Sequence, residues 1–117
     1  MSAFPPKELH LLLDSSGALI VYQEEGAHWA GVLAFSSASR ATEFVAASNL
    51  EAAETGVIDP GEISQVSSLI QAVKPRAVRY LLLDLDWRTG ECVQVDFEGN
   101  SWGAARECRF TPRGRPH

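Results

Sequence analysis

The tetrapeptide Leu-Leu-Leu-Asp occurs twice in this chain, at residues 11–14 and 81–84, and each copy leads through a turn into a second apolar run. The first turn contains Gly17 and the second contains Gly90. Glycine supplies the positive φ that tight hairpin turns require. Because a strand, a tight turn and a second strand make a hairpin, the two copies predict two hairpins and therefore an antiparallel sheet.

A third strand and a first helix are expected between the hairpins. Residues 28–35 form an apolar run whose small Ala and Gly residues indicate a central strand under close packing. Ser36 and Ser37 follow directly, and serine hydroxyls accept hydrogen bonds from the free amides at a helix start. Apolar residues then recur at helical spacing as far as residue 48. Residues 49–58 are expected to form a looser connection.

A second helix start follows that connection. Asp59 is placed as the N-cap, Pro60 at the first helical position, and Glu62 as the partner in a capping box. The helix is expected to end before Pro75, which cannot continue it. The run 76–86 is apolar on both faces at its centre, so it predicts a central strand with both faces covered.

The expected element order is β-β-β-α-α-β-β. This order predicts an α+β fold with a mixed or mostly antiparallel sheet of about five strands and two helices packed on one face. Residues 1–105 are expected to form a single domain, and residues 106–117 a basic, flexible tail. The first segment carries six Lys and Arg against fourteen Asp and Glu, whereas the tail carries four Arg against one Glu.

Composition excludes several classes of protein. The chain of 117 residues suits one domain, and no apolar run approaches the ~20 residues that span a bilayer. The N-terminus does not resemble a secretory signal, so we expect a soluble cytoplasmic protein with no membrane partner. Cys92 and Cys108 are expected to be reduced and of minor structural importance. The acidic body repels phosphate, so nucleic-acid binding is not expected except through the Arg-rich tail.

One stretch resembles a known family. Residues 32–44, Val-Leu-Ala-Phe-Ser-Ser-Ala-Ser-Arg-Ala-Thr-Glu-Phe, resemble a recurrent pattern in the N-terminal domain of the SseB-like family. In that pattern an apolar strand ends in Phe-Thr/Ser-Ser and enters a helix whose Ala and Phe residues face the sheet. The later run Val-Arg-Tyr-Leu-Leu-Leu-Asp is similar to runs in small bacterial domains of unassigned function. The resemblance implies an α+β adaptor or interaction domain and transfers no functional residue.

Asp84 and Asp86 are the candidate residues for catalysis. Strand alternation places both carboxylates on one face, close enough to share a Mg²⁺ ion or a proton. The alternative is that both are solvated turn residues. The three histidines, His10, His28 and His117, have no spacing that would place two ligands on one helix face. No glycine-rich phosphate loop occurs, and we expect no metal, no cofactor and no catalytic residue, with Asp84 and Asp86 as the alternative acidic site.

Trp87 and Trp102 are the candidate residues for a protein interface. They stand in a turn and in an irregular segment, beside Arg88 and near Arg106, and Trp and Arg are enriched among interface hot spots. The alternative is that they cover an open end of the sheet. The first hypothesis is therefore a non-catalytic module for protein-protein contact or self-association, including a homodimer. The second is a metal-assisted hydrolase or small-ligand-binding protein that uses Asp84 and Asp86.

Overall fold

The structure, a computed structural model, describes residues 4–23, 30–50, 54–109 and 115–116. The described residues form one mixed sheet of eight strands with two α-helices and a 3₁₀ helix. The strands are β1 (Leu9–Leu13), β2 (Val21–Gln23), β3 (Ala30–Phe35), β4 (Glu54–Ile58), β5 (Val78–Leu83), β6 (Glu91–Glu98), β7 (Ser101–Arg109) and β8 (Arg115–Pro116). The helices are α1 (Ala38–Ser48) and α2 (Ile63–Val73), and the 3₁₀ helix Lys74–Arg76 follows α2. The α+β class is confirmed, and the sheet is larger than five strands.

Strand β3 is the centre of the sheet. The strand order is β4-β1-β3-β5-β6-β7, and β2 also pairs with β3 and with β8. The β3–β5 pair is parallel, while the other described pairs are antiparallel. All six residues of β3 are buried. Gly31 permits this packing, because a Cβ atom there would lie 2.8 Å from Cγ of Leu82 on β5.

The second predicted hairpin is confirmed, and the first is confirmed only at its turn. Strands β5 and β6 pair from Tyr80 opposite Asp96 to Leu83 opposite Val93. In the first hairpin the turn at residues 14–18 forms, but a single bridge between residues 13 and 19 joins its arms. Both β1 and β2 pair with the same side of β3, since β5 occupies the other side. The turn is therefore an excursion between two segments that share one neighbouring strand.

The two helices pack on opposite faces of the sheet, so the expectation of one helical face is wrong. On the face that we call the α1 face, Ala41 and Phe44 of α1 join a buried cluster with Leu33 and Leu82. On the α2 face, α2 contributes to a second cluster with residues 32, 34, 81 and 83. Because β3 and β5 are apolar on both sides, each face needs its own cover, and burial of both faces supplies the core.

The connection expected at residues 49–58 contains strand β4. It pairs with β1 along five residues, from Leu9 opposite Ile58 to Leu13 opposite Glu54. It lies at the edge of the sheet, where all five of its residues are exposed or half-buried, and its sequence Glu-Thr-Gly-Val-Ile has no apolar alternation. The element order is therefore β-β-β-α-β-α-β-β-β-β.

Helix α2 begins later than its start signal predicts, and it ends as expected. Glu62 is the N-cap, and its side chain accepts a hydrogen bond from the Ser64 amide. Asp59 instead accepts from the Gly61 amide at 2.8 Å in the preceding turn. The helix ends at Val73. A Pro-Gly pair after Asp59 favours this turn over a helical first residue.

Strand β7 extends across the boundary placed after residue 105. A bulge opposite β6 lies between residues 102 and 105, and a Cβ atom at Gly103 would lie 3.1 Å from the Asp96 carbonyl oxygen. Of the basic tail, Arg106 and Arg109 belong to β7, residues 115–116 pair with β2, and Arg113 lies outside the described residues. No helix in the described ranges is long and apolar enough to cross a membrane.

Candidate functional site

A pocket lies at the carboxyl ends of the parallel strands β3 and β5. Strand β3 leads through two serines into α1, and β5 leads through Asp84 into the turn before β6. In open sheets that contain parallel strands, ligands bind outside the carboxyl ends of those strands. The cavity has a volume of about 320 Å³, and we call it the α1 pocket. Its charged and aromatic lining includes Arg40, Glu43, Asp84, Asp86, Trp87 and Arg88.

Asp84 joins the end of β5 to the start of α1. Its amide donates to the Ala34 carbonyl at 2.9 Å, and its φ of 56° lies in the left-handed region that Asp and Asn tolerate. Its Oδ1 accepts from the Ser36 amide at 2.8 Å, and its Oδ2 accepts from Ser36 Oγ at 2.8 Å. Arg40 Nε lies 3.9 Å from Oδ2. Both carboxylate oxygens are therefore engaged by the segment that positions α1.

Asp86 also lines the pocket, but its carboxylate stabilises a different segment. Oδ1 accepts from the Arg88 amide at 2.9 Å and from the Thr89 amide at 3.4 Å. The backbone of Asp86 closes the same turn, because its carbonyl accepts from the Gly90 amide at 2.7 Å. The structure brings Asp84 and Asp86 to one cavity while each is held by its own donors. Within the described ranges no group of three His, Cys, Asp or Glu side chains could hold a metal ion.

Trp87 forms an aromatic wall of the α1 pocket. Its ring meets Phe44 edge-on at a centroid distance of 5.6 Å and Tyr22 at 6.3 Å. The side chain is half-buried, whereas Arg88 beside it is exposed. Neither the Trp87 indole N–H nor the Arg88 guanidinium makes a hydrogen bond with the described residues. Both groups therefore retain donors for a bound molecule.

Trp102 lies on the opposite, α2 face of the sheet. Its ring packs edge-on against Phe4 at 5.2 Å, and its indole N–H donates to the Pro60 carbonyl at 3.0 Å. It belongs with the residues that cover the α2-face cluster. The two tryptophans proposed for one interface are thus on different faces, and only Trp87 and Arg88 lie together at the pocket.

Arg106 does not join either tryptophan. Its Nη2 lies 3.5 Å from Asp96 Oδ1, and the side chain is exposed. The neighbouring residue Ala105 packs on the α2-face cluster with Trp102, so Arg106 projects from the other side of β7.

Sequence reasoning missed Arg40 and Glu43 as pocket residues. Both are exposed on α1 beside the buried Phe44. Helical spacing places residues 40 and 43 on the same side of α1, which is a signal that could have found them. Among the histidines, His10 Nε2 lies 3.1 Å from Glu8 Oε2. His28, His117 and Trp29 lie outside the described residues.

The cysteines are opposed across a strand pair, which their sequence spacing does not reveal. Cys92 on β6 is the register partner of Cys108 on β7, and both thiols are free. Burial, followed by the nearby Cys108, raises the pKa of the Cys92 thiol to about 12. Cys92 is therefore a protonated, poorly nucleophilic thiol at neutral pH.

Comparisons of the chain with protein-family models, with curated proteins and with solved structures found no match. The residues of the α1 pocket therefore carry the functional argument.

Proposed function

We propose that this protein is a non-catalytic interaction module whose α1 pocket receives a basic segment of a partner protein. The observation that carries the proposal is Trp87, a half-buried ring at the wall of a cavity of about 320 Å³, whose indole N–H makes no hydrogen bond to the described part of the chain. Tryptophans in such positions are frequent hot spots of protein interfaces. A cavity of this size suits one side chain or a small molecule.

The hydrogen bonds of the acidic pair support a binding role over catalysis. A general acid or base needs an oxygen within reach of the proton that it transfers. Asp84 directs both of its oxygens to Ser36, and Asp86 directs Oδ1 to the backbone of its own turn. The metal-assisted hydrolase is therefore the less favoured hypothesis.

Charge supports a basic partner. Asp84 and Arg40 form an ion pair with each other. The remaining charges of the lining are those of Glu43, Asp86 and Arg88. Their sum is negative, and the whole chain has a formal net charge of -5 at pH 7. Such a field attracts cations and steers basic partners at low ionic strength. Trp87 lines the cavity, and indole rings attract the cationic group of an Arg or Lys side chain.

Self-association by strand pairing has less support. Strand β7 is at one edge of the described sheet, but the bulge near Gly103 and the charged residues Arg106, Glu107 and Arg109 discourage pairing between edges. Sedimentation velocity at high protein concentration tests this version directly. A dimer that persists in an R106D variant would indicate self-association through a surface other than the edge of β7.

The proposal is tested by fluorescence anisotropy of a labelled tetra-arginine peptide with the full chain. We expect Glu43→Gln to weaken binding about threefold to fivefold, because a loss of ~0.7–1 kcal/mol is typical of one partly screened charge pair. Glu98→Gln removes the same charge at the distal end of β6 and is the matched control. Trp87→Ala should weaken binding at least tenfold, whereas Trp102→Phe should not.

Three results would contradict the proposal or redirect it. Equal affinity of the Glu43→Gln and Glu98→Gln variants for the peptide would mean that the charge of Glu43 at the pocket does not contribute to binding. Equal binding of a tetra-glutamate peptide would remove the charge argument. Binding of free arginine as tight as that of the peptide would favour the small-ligand alternative.

A further inference from the structure

Two cysteines face each other at one end of the sheet. Cys92 and Cys108 are directly opposed in the antiparallel pair β6–β7, and both belong to the α1-face cluster. Directly opposed residues in antiparallel strands have Cα atoms about 4.5 or 5.5 Å apart, according to the hydrogen-bonding position. Both values fall in the range of roughly 4.4–6.8 Å that disulfides span. No slip of the strand register is needed to join the two sulfurs.

The pair is accessible from one side. Both cysteines line a second cavity of about 520 Å³, between the end of β5 and the C-terminal end of β7. Cys92 is buried, whereas Cys108 is half-exposed. An oxidant that enters this cavity therefore meets the Cys108 sulfur first.

We propose that Cys92 and Cys108 are a redox modification site that forms a reversible intramolecular disulfide when the protein meets a peroxide. The Cys108 thiol releases its proton to solvent, its sulfur attacks one peroxide oxygen, and the O–O bond breaks to give a sulfenic acid and a hydroxide, which takes up a proton from solvent and becomes water. Cys92 is protonated at neutral pH, so it gives its proton to the sulfenic oxygen as its sulfur attacks the sulfenic sulfur; the S–O bond breaks, and a second water leaves. Two thiols are oxidised by two electrons in total, and one hydrogen peroxide is reduced to two waters.

Gln94 stabilises the reduced form of this cysteine pair. It is a buried polar residue with 7% exposure, and its Oε1 accepts from the Cys108 thiol at 3.2 Å. A disulfide has no S–H, so oxidation removes this donor and leaves the buried amide oxygen without it. The hydrogen bond therefore stabilises the reduced form, and a disulfide with a stabilised reduced form is easily reduced. This is the property of a labile, responsive disulfide.

The proposal is tested on the folded full chain with a slight excess of hydrogen peroxide. After alkylation of free thiols, trypsin cleaves behind Arg88, Arg106 and Arg109, so the two cysteines fall in peptides 89–106 and 107–109. We expect these peptides to be linked in the oxidised monomer, with the loss of two hydrogens, and to separate with dithiothreitol. Sulfinic acid at Cys108 beside an alkylated Cys92 would overturn the proposal. A dimer linked through Cys108 that forms equally in Cys92→Ser would also overturn it.

The role of Gln94 has its own measurement. In a glutathione redox buffer, Gln94→Leu should raise the ratio of disulfide to dithiol about fivefold, the factor that corresponds to one ordinary hydrogen bond. Gln71→Leu, an exposed glutamine on α2, is the control and should leave the ratio unchanged. An unchanged ratio in Gln94→Leu, with a native circular dichroism spectrum, would refute the tuning role. The peptide map of the wild-type chain tests the disulfide independently of this variant.

Discussion

Removal of the Asp84 side chain should destabilise the fold far more than removal of the neighbouring acid Asp86. Asp84 is 22% exposed and accepts two hydrogen bonds from Ser36, a residue 48 positions away in the chain. Asp86 is exposed and accepts only from amides of its own turn. The first carboxylate links two distant segments, and the second stabilises one local segment.

The magnitude follows from the contacts. A hydrogen bond to a charged group contributes about 1.5–3 kcal/mol, and removal of one acceptor from two donors is less than additive, so we expect Asp84→Gly to cost ~2–4 kcal/mol. The Arg40 pair adds little, because the Arg40 side chain is 60% exposed. Glycine accepts the φ of 56° without strain, whereas Asp84→Ala should cost about 1 kcal/mol more for the left-handed backbone. Asp84→Asn keeps an acceptor for the Ser36 amide and should cost only ~1 kcal/mol.

Urea unfolding monitored by far-UV circular dichroism measures these free energies. Asp86→Ala is the matched control, with an expected cost of ~0.5–1 kcal/mol for the loss of an exposed turn contact. A second check is Ser36→Ala, whose cost should fall when it is combined with Asp84→Gly, because the two side chains share one interaction. Equal unfolding midpoints for Asp84→Gly and Asp86→Ala would refute the claim that Asp84 joins β5 to α1.

Three further predictions concern the core and the thiols. Gly31→Ala should destabilise the fold by about 1–3 kcal/mol through its clash with Leu82, whereas Gly56→Ala, whose Cβ would meet its nearest neighbour at 3.5 Å, should cost little, and urea midpoints compare them. Trp102→Phe should cost ~1 kcal/mol for the lost bond to the Pro60 carbonyl, by the same assay. The raised pKa of Cys92 means that its share of stability is present below about pH 9 and declines toward pH 12, because the unfolded thiol ionises first. Cys92→Ala should therefore show a smaller loss of stability between these pH values than the wild-type chain, and an identical loss would contradict the assigned pKa.

The α+β class and the second hairpin could be predicted because their signals are local. The apolar centre of β5 also correctly indicated a strand covered on both sides. The expectation of a single helical face ignored this indication, since a strand buried on both faces requires a helix on each. Strand β4 was not predictable in the same way, because an edge strand gains its hydrogen bonds from β1 and needs few apolar residues.

The candidate site could be predicted only in part, since it depends on which strands become neighbours. The sequence pointed to Asp84, Asp86, Trp87 and Arg88, which all line the α1 pocket. It also pointed to Trp102, which lies on the other face of the sheet. A residue in an irregular-looking segment cannot be assigned to a face from the sequence. The pairing of β6 and β7 is interrupted by a bulge near Gly103, and the sequence around this bulge resembles an irregular segment more than a strand.

The two Leu-Leu-Leu-Asp copies show how identical local sequences acquire different roles. Asp14 turns back on its own loop, where its carboxylate accepts from the Ser16 hydroxyl at 2.6 Å, and this bond lowers the pKa of Asp14. Asp84 instead crosses to Ser36, because β5 is parallel to β3 and the two strands end side by side. Strand β1 is antiparallel to both β3 and β4, so no strand ends beside it in the same direction. The direction of the neighbouring strand, which the tetrapeptide does not encode, places one aspartate in a turn and the other at the α1 pocket.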